Sequence, residues 1–372
     1  MSTDHDLLIA LNYYAPYVSG LTNVARDVAV GLAERGHRVK VVTSRHDPSL
    51  PESETLDGVE VERTPVVARL GKGVISPALV TRTVRASRRA RLTNLHLPML
   101  EAGVIAGRCA SPVALTYHCD VSLPPGAVNA VQRTVVDASS RRAMRHAQSV
   151  VVTSDDYARH SRLWPSMAGR TVAIPPPCHE RPAGVPRFRD GAGLHVGFLG
   201  RIVEEKGLQY LVRGFQALDD PDSRLVIGGD FAKVAGGSVV DEIRRLVDGD
   251  PRIRLLGFLP DEQLADLYAS LDVFALPSVN AFEAFGIVQV EAMMAGVPAL
   301  ASDLPGVRVP VQETGFGRIV TPRDVDGIAA ALRELAAADL DRRAGAQRAR
   351  ERFALETVLD AYERLVTEAS AG

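Results

Sequence analysis

Lysine is nearly absent from this chain. It occurs at Lys40, Lys72, Lys206 and Lys233, while lysine and arginine together number 43. A lysine inside a motif here therefore marks a place where a compact point charge replaces the habitual arginine. Cysteine is also scarce. Cys109, Cys119 and Cys178 form an odd set without metal-ligand spacing, which speaks against a disulfide framework and for a reducing cytosol. No apolar run reaches the length of a membrane span. The opening MSTDHD is acidic and lacks the basic start of a signal peptide, so the expected location is cytoplasmic. A net charge of −2 argues against a general nucleic-acid binder. No GxGxxG follows the first strand pattern, and the run GAGLHVG precedes its strand, so a nicotinamide dinucleotide site is not expected.

What is present is a 372-residue chain, 46% hydrophobic and 24% charged, long enough for two domains of an ordinary globular protein. Strand and helix patterns alternate in both halves. That alternation implies an α/β fold of two doubly wound, Rossmann-like domains facing across a cleft.

In the first half, LLIALN (7–12) reads as a buried parallel strand. The following loop ends near Ser19-Gly20-Leu21, where Gly20 is a candidate for close substrate approach. A helix is expected over 22–35, with Val24, Val28 and Leu32 on its inner face. Residues 59–67 read as a strand, and 71–92 as a cationic helix bearing Arg82, Arg85, Arg88, Arg89 and Arg91. Such a face is a solvated surface, a contact for an anionic membrane at its inner face, or a docking place for an acidic acceptor. Strands at 92–98 and 112–120 end near His96 and His118. The carboxyl end of a strand is where ligands bind in such sheets, which makes His118 a candidate and His96 a weaker one. Pro175, Pro176, Pro177, Pro182 and Pro186 then interrupt regular structure, and 178–192 reads as the link between domains.

The second half opens with a strand over 194–199. Gly200-Arg201 ends it, and Lys206-Gly207 starts the next helix. Two cations at a strand–loop–helix junction suit a diphosphate. Gly228-Gly229 permits close backbone approach, and the strand RIRLLGFLP ends at Leu259-Pro260. Asp220-Pro221-Asp222 precedes its strand in a proline turn and is read as solvated, not as a metal site. The stretch from Leu276 to Asp303 organises the rest. Glu283 lies on a loop, Phe285-Gly286 opens a helix through Ile287 and Glu291, and Gly296 closes it. The helix start favours a phosphate. Carboxylates on either side of a phosphate repel it, unless each accepts hydrogen bonds from sugar hydroxyls, which describes a nucleotide-sugar.

Glu283-x7-Glu291 with Phe285-Gly286 inside it, the AxxAGVPxxASD run, Gly200-Arg201 and Lys206-Gly207 together resemble the signature of glycosyltransferase family 4, the retaining, nucleotide-sugar-dependent enzymes of the GT-B fold. The resemblance implies a metal-independent hexosyltransferase moving a sugar from a UDP- or GDP-sugar to an acceptor hydroxyl on a glycan, lipid or small metabolite. It implies that Glu291 binds ribose, Glu283 the donor sugar, and Arg201, Lys206 and the helix start the diphosphate. His118 would stand beside the transferring sugar, Leu259 would pack the base, and Gly20, Gly229, Phe285, Gly286 and Ile287 would line the donor site. No cofactor beyond the donor is expected. The family's acceptor domain would span 1–177, its donor domain 193–354, and the last helix, from about 355, would return to the first domain. Family members usually carry two adjacent glycines where this chain has Gly20-Leu21. Rival readings are a UDP-sugar 2-epimerase, a non-catalytic nucleotide-binding partner and a dehydrogenase.

Overall fold

The computed structural model describes residues 3–70, 73–123, 126–229, 239–280 and 282–369. The chain divides into two compact units. One comprises the residues up to Pro177 together with those from Leu355 onward; the other runs from Cys178 to Ala354.

The strands of the first unit, in chain order, are β1 (His5–Ala10), β2 (Val39–Ser44), β3 (Ser53–Leu56), β4 (Val59–Thr64), β5 (Ala68–Leu70), β6 (Gly73–Ile75), β7 (Ala90–Leu97), β8 (Val113–Tyr117), β9 (Ser149–Val152) and β10 (Thr171–Ala173). The main sheet has the order β10-β9-β8-β7-β1-β2-β4-β3, parallel except for the β3–β4 hairpin pair. Leu7 to Ala10 of β1 are fully buried, as a strand covered on both faces by helices demands. The order reverses between β1 and β7, the switch point where the loops after both strands open apart.

The first helix runs from Gly20 to Glu34. Ser19 starts it by accepting a hydrogen bond from the Thr22 N–H at 3.2 Å. Val24, Val28 and Leu32 are buried as the four-residue spacing predicts. The last helix, Leu355–Glu368, packs against it. Arg35 holds Glu356, Asp360 and Glu363 at 2.5, 2.8 and 3.1 Å, and a Cβ on Gly31 would lie 2.5 Å from a Leu359 methyl.

Two expectations about this unit need correction. The strand expected over 59–67 stops at Thr64, because Pro65 denies the ladder a donor. Of the cationic helix expected over 71–92, positions 71 and 72 lie outside the described residues, and within the rest the helix spans Pro77–Ser87. The β5–β6 hairpin precedes it, Ser76 caps it through the Leu79 N–H at 3.3 Å, and Pro77 occupies its first turn. Arg91 lies on β7. Three of the five arginines are paired: Arg82 with Glu62 at 3.2 Å, Arg89 with Asp4 at 2.9 Å and Arg91 with Asp6 at 3.2 Å.

The second unit holds β11 (His195–Leu199), β12 (Arg224–Gly228), β13 (Ile253–Gly257), β14 (Val273–Leu276), β15 (Ala299–Ser302) and β16 (Gly317–Val320). They form a parallel sheet ordered β13-β12-β11-β14-β15-β16, with its switch point between β11 and β14. The apolar side chains of β11 and β14 pack on both faces: Val196, Phe198, Val273 and Phe274 have no more than traces of exposure.

Residues 178–192, read as a link, are packed onto this second unit. Cys178 is buried and forms a bridge with Ala354. The Val185 N–H donates to Asp266 at 2.7 Å, the Phe188 N–H donates to Ser270 at 3.0 Å, and Arg189 pairs with Asp272 at 3.0 Å. Prolines here exclude helix and ladder, yet they leave side chains free to anchor.

Candidate active site

The switch point of the second sheet brings together loops that are far apart in sequence. After β11, Gly200 and Arg201 lead into a short turn, Glu204–Lys206, and then Gly207. Gly207 has φ 64°, and a Cβ there would meet the Pro277 carbonyl oxygen at 2.1 Å. Only glycine accommodates both the left-handed backbone and that approach. The Val279 N–H, in the loop after β14, donates to the Glu205 carbonyl at 2.9 Å. With the loops fastened this way, the Lys206 ammonium lies in direct ion-pair contact with Glu283 Oε2, both side chains being mostly buried. Arg201 is not part of this contact. Its guanidinium is half-exposed and bonds Glu205 one turn on at 2.9 Å.

Past Glu283 the helix Ile287–Met294 starts at Gly286, whose φ of 88° and nearness to Leu276 exclude a side chain. The Gln289 carboxamide donates to the carbonyls of Phe285 at 2.7 Å and Val307 at 2.9 Å, which fixes the approach to the helix. Phe285 is 3% exposed and packs edge-on against Phe353, so it offers a ligand its backbone and not its ring. Ile287 is half-buried. The first N–H groups of such a helix have no intrahelical acceptor and favour an anion. Gly229 needs its lack of a side chain, since a Cβ would fall 2.1 Å from the Gly200 carbonyl oxygen. Leu259 is buried and packs over Gly228.

Glu291 sits on the buried side of the helix, 7% exposed. Its Oε2 accepts hydrogen bonds from Arg181 Nε at 3.1 Å, Arg181 Nη2 at 3.0 Å and the Tyr268 hydroxyl at 3.1 Å. Burial pushes the Glu291 carboxyl above its ordinary pKa, and the guanidinium of Arg181 opposes that shift. Burial likewise pushes the Tyr268 hydroxyl well up, with the Glu291 carboxylate adding to it.

In the first unit, β7 and β8 bring His96 and His118 together. His96 Nδ1 and His118 Nε2 are 3.0 Å apart. Desolvation holds His118 down to about 3 and His96 well below the usual imidazole range, so the pair is neutral. Gly20 is the first residue of its helix, with open space where a Cβ would be. Leu21 packs against the core of this unit, so the side chain replacing a second glycine is absorbed into the interior. At the switch point, Asn12 and the Ser76 N–H each donate to Glu101 at 3.2 Å. Asp220 behaves as a turn residue, accepting from the Asp222 N–H at 3.0 Å.

Sequence reasoning did not single out Arg181, Tyr268 or Glu101. Arg181 lies in a proline-rich stretch without periodicity, and Tyr268 reads as an ordinary apolar-face residue of its helix. Nothing in their spacing reveals a partner up to 110 residues away.

Two parallel-sheet units, with a cation–carboxylate contact and an anion-favouring helix start at the switch point of the second, define a glycosyltransferase of the GT-B fold. Two family models match in succession: "Glycosyl transferase 4-like domain" over residues 19–177 and "Glycosyl transferases group 1" over residues 189–352. The chain belongs to these group 1 glycosyltransferases. It is 29% identical over 341 residues to 2-deoxystreptamine glucosyltransferase of Streptomyces kanamyceticus, covering 82% of this chain and 86% of that one. It is 26% identical over 352 residues to D-inositol 3-phosphate glycosyltransferase of Nocardiopsis dassonvillei, covering 86% and 81%. Among solved structures, Anabaena HepE in complex with UDP superposes with a TM-score of 0.76 at 20% identity, covering 97% of this chain and 99% of that one. Sucrose-phosphate synthase of Thermosynechococcus elongatus gives 0.75 at 21% identity, covering 98% and 99%. The epimerase, non-catalytic and dehydrogenase readings give way to a glycosyltransferase. No described helix is long and apolar enough to cross a membrane.

Proposed function

We propose that this enzyme transfers a hexose from a UDP-sugar to a hydroxyl of a polyhydroxylated ring acceptor, with retention at the anomeric carbon and without a metal ion. The observation that carries the donor half is the Lys206–Glu283 contact beside the start of the helix that holds Glu291. The reading gives Arg201, Lys206 and the first N–H groups of that helix the diphosphate, where they offset charge as it leaves. Glu283 accepts hydrogen bonds from the donor sugar and orients the Lys206 ammonium. Glu291 accepts from ribose hydroxyls, and Gly229 and Leu259 border the base. His118, kept neutral, serves the transferring sugar as a hydrogen-bonding group and not as a cation. Two cations and a helix start supply the charge a metal would otherwise supply, and the leaving phosphate aids deprotonation of the acceptor.

HepE has been solved with UDP and with UDP-glucose, which supports uridine as the base and glucose as the first sugar to try. Relatives named for 2-deoxystreptamine and for D-inositol 3-phosphate both take a cyclitol, which supports a cyclitol acceptor. The test is incubation with UDP-glucose and a cyclitol panel, with the anomeric proton coupling of the product read by NMR. The reading expects an α-linked glucoside from an α-linked donor. A β-linked product, or transfer only with added divalent metal, overturns the mechanism. Peripheral membrane contact through Arg82 to Arg91 is a further proposal, narrowed by the three ion pairs in that stretch. Binding to anionic vesicles that survives neutralisation of Arg85 and Arg88 contradicts it.

A further inference from the structure

Glu291 has an unequal pair of carboxylate oxygens. Oε2 receives three donors, two from Arg181 and one from Tyr268. Among the described residues, Oε1 receives none. A carboxylate held by three bonds on one oxygen cannot turn about its terminal torsion without breaking them, so Oε1 is presented in one direction. We propose that Arg181 and Tyr268 are positioning residues that saturate one oxygen of Glu291 and aim the other at the hydroxyls of the bound nucleotide. This rests on the reading of Glu291 as the ribose-binding carboxylate.

The architecture behind these two donors is rigid. Arg181 reaches Glu291 from the segment 178–192, which is fastened to the second unit on both sides of it. Glu180 pairs with Arg350 at 3.1 Å, and a Cβ on Gly184 would lie 2.0 Å from the Ala265 carbonyl oxygen. The far branch of the guanidinium, Nη1, is tied to Asp261 at 3.0 Å. Arg181 thus spans a buried carboxylate and an exposed one, a use for the planar fork that a lysine cannot match. Tyr268 is buried on the helix Leu264–Ala269, its ring edge-on to Phe274 at 5.9 Å between centroids. The hydroxyl lies 3.1 Å from Glu291 Oε2, and its other acceptor, the Val288 carbonyl on the same helix as Glu291, is longer at 3.4 Å.

The arrangement also decides the protonation of Glu291. Only the ionised carboxylate offers both oxygens as acceptors. The groups facing it are Arg181 and His179 from the segment 178–192, Tyr268 from its helix, and Asp261 behind Arg181; the helix Ile287–Met294 carries no other charged residue. Burial favours the protonated form, and the cation opposes it. Without Arg181 the carboxyl protonates at a higher pH, so nucleotide binding is lost earlier as pH falls.

The experiment is isothermal titration of the full-length protein with UDP from pH 5 to pH 8, with thermal melting of each variant as a check on folding. Arg181→Gln should weaken UDP binding about tenfold or more at pH 7, the scale of a lost hydrogen bond to a charged group. It should also move the acid limb of binding to higher pH. Arg181→Lys keeps the charge without the fork, and should fold and show a smaller weakening in the same direction. Tyr268→Phe removes one donor without uncovering a charge, and should weaken binding with a smaller displacement of the limb. Glu291→Gln separates the two claims. If it loses binding while folded Arg181→Lys and Tyr268→Phe match the wild type in affinity and pH profile, the positioning role is wrong and the ribose reading stands. If Glu291→Gln binds UDP like the wild type, the ribose reading fails and the positioning role with it.

Discussion

Lys206 and Glu283 are 77 residues apart, yet their side chains form one ion pair at the switch point. Their places explain why both were legible: each lies in the loop after a strand, seven positions past its end, and the only lysines in the chain are four. A charge on a loop at a strand's carboxyl edge has few structural duties, so its identity carries information. Lys206→Ala should lower kcat about a hundredfold or more if the ammonium stabilises leaving charge, as removal of one oxyanion donor does elsewhere. Steady-state turnover checks this, and unchanged kcat removes Lys206 from the site. The histidine pair makes a different prediction. His96 and His118 are neutral in the fold and titrate near 6.5 once unfolded, so below that pH the unfolded chain binds more protons. Their contribution is complete above about pH 6.5 and declines as pH falls below it, for His118 down to about 3, by up to about 1.4 kcal/mol per pH unit for each histidine. Urea unfolding between pH 7.5 and 5 should therefore show an acid slope that flattens in His96→Gln. An identical slope contradicts the buried, neutral pair.

Elements were legible where a single signal dominated. The first helix carries a serine cap, a four-residue apolar spacing and a closing glycine, and all agree. The helix bearing Glu291 was legible from its two bounding glycines, Gly286 and Gly296, without a capping side chain. The arginine-rich stretch misled because charge drew attention from its start signal, Ser76-Pro77, which sits inside the expected helix. The segment 178–192 is a different case. Proline predicts the absence of helix and strand correctly, but it says nothing about anchoring, and here anchoring comes from side chains meeting partners about 80 to 110 residues away. The contact between the first and last helices is likewise invisible in either pattern alone. Gly31→Ala would push a methyl into Leu359 and should cost about 1–3 kcal/mol as overpacking. A urea midpoint equal to that of the wild type would show that the last helix can yield.

At the scale of the whole molecule, alternation of strands and helices was enough to give two α/β units, and the order of the parallel sheets places the candidate donor residues at the second switch point. The acceptor was not legible. The first unit exposes polar and aromatic groups at its own switch point, with Tyr13 and Tyr17 stacked at 4.5 Å, but no short motif encodes which ring they receive. The central claim is that the second unit binds a nucleoside diphosphate through Glu291. Thermal melting of the full-length protein with UDP, GDP, ADP and TDP and their glucose conjugates tests it most directly. A ligand at a hundred times its dissociation constant stabilises by about 2.7 kcal/mol. The account predicts a clear rise in Tm with uridine ligands that is lost in Glu291→Ala. No rise with any of the four bases, or an equal rise in Glu291→Ala, would contradict it.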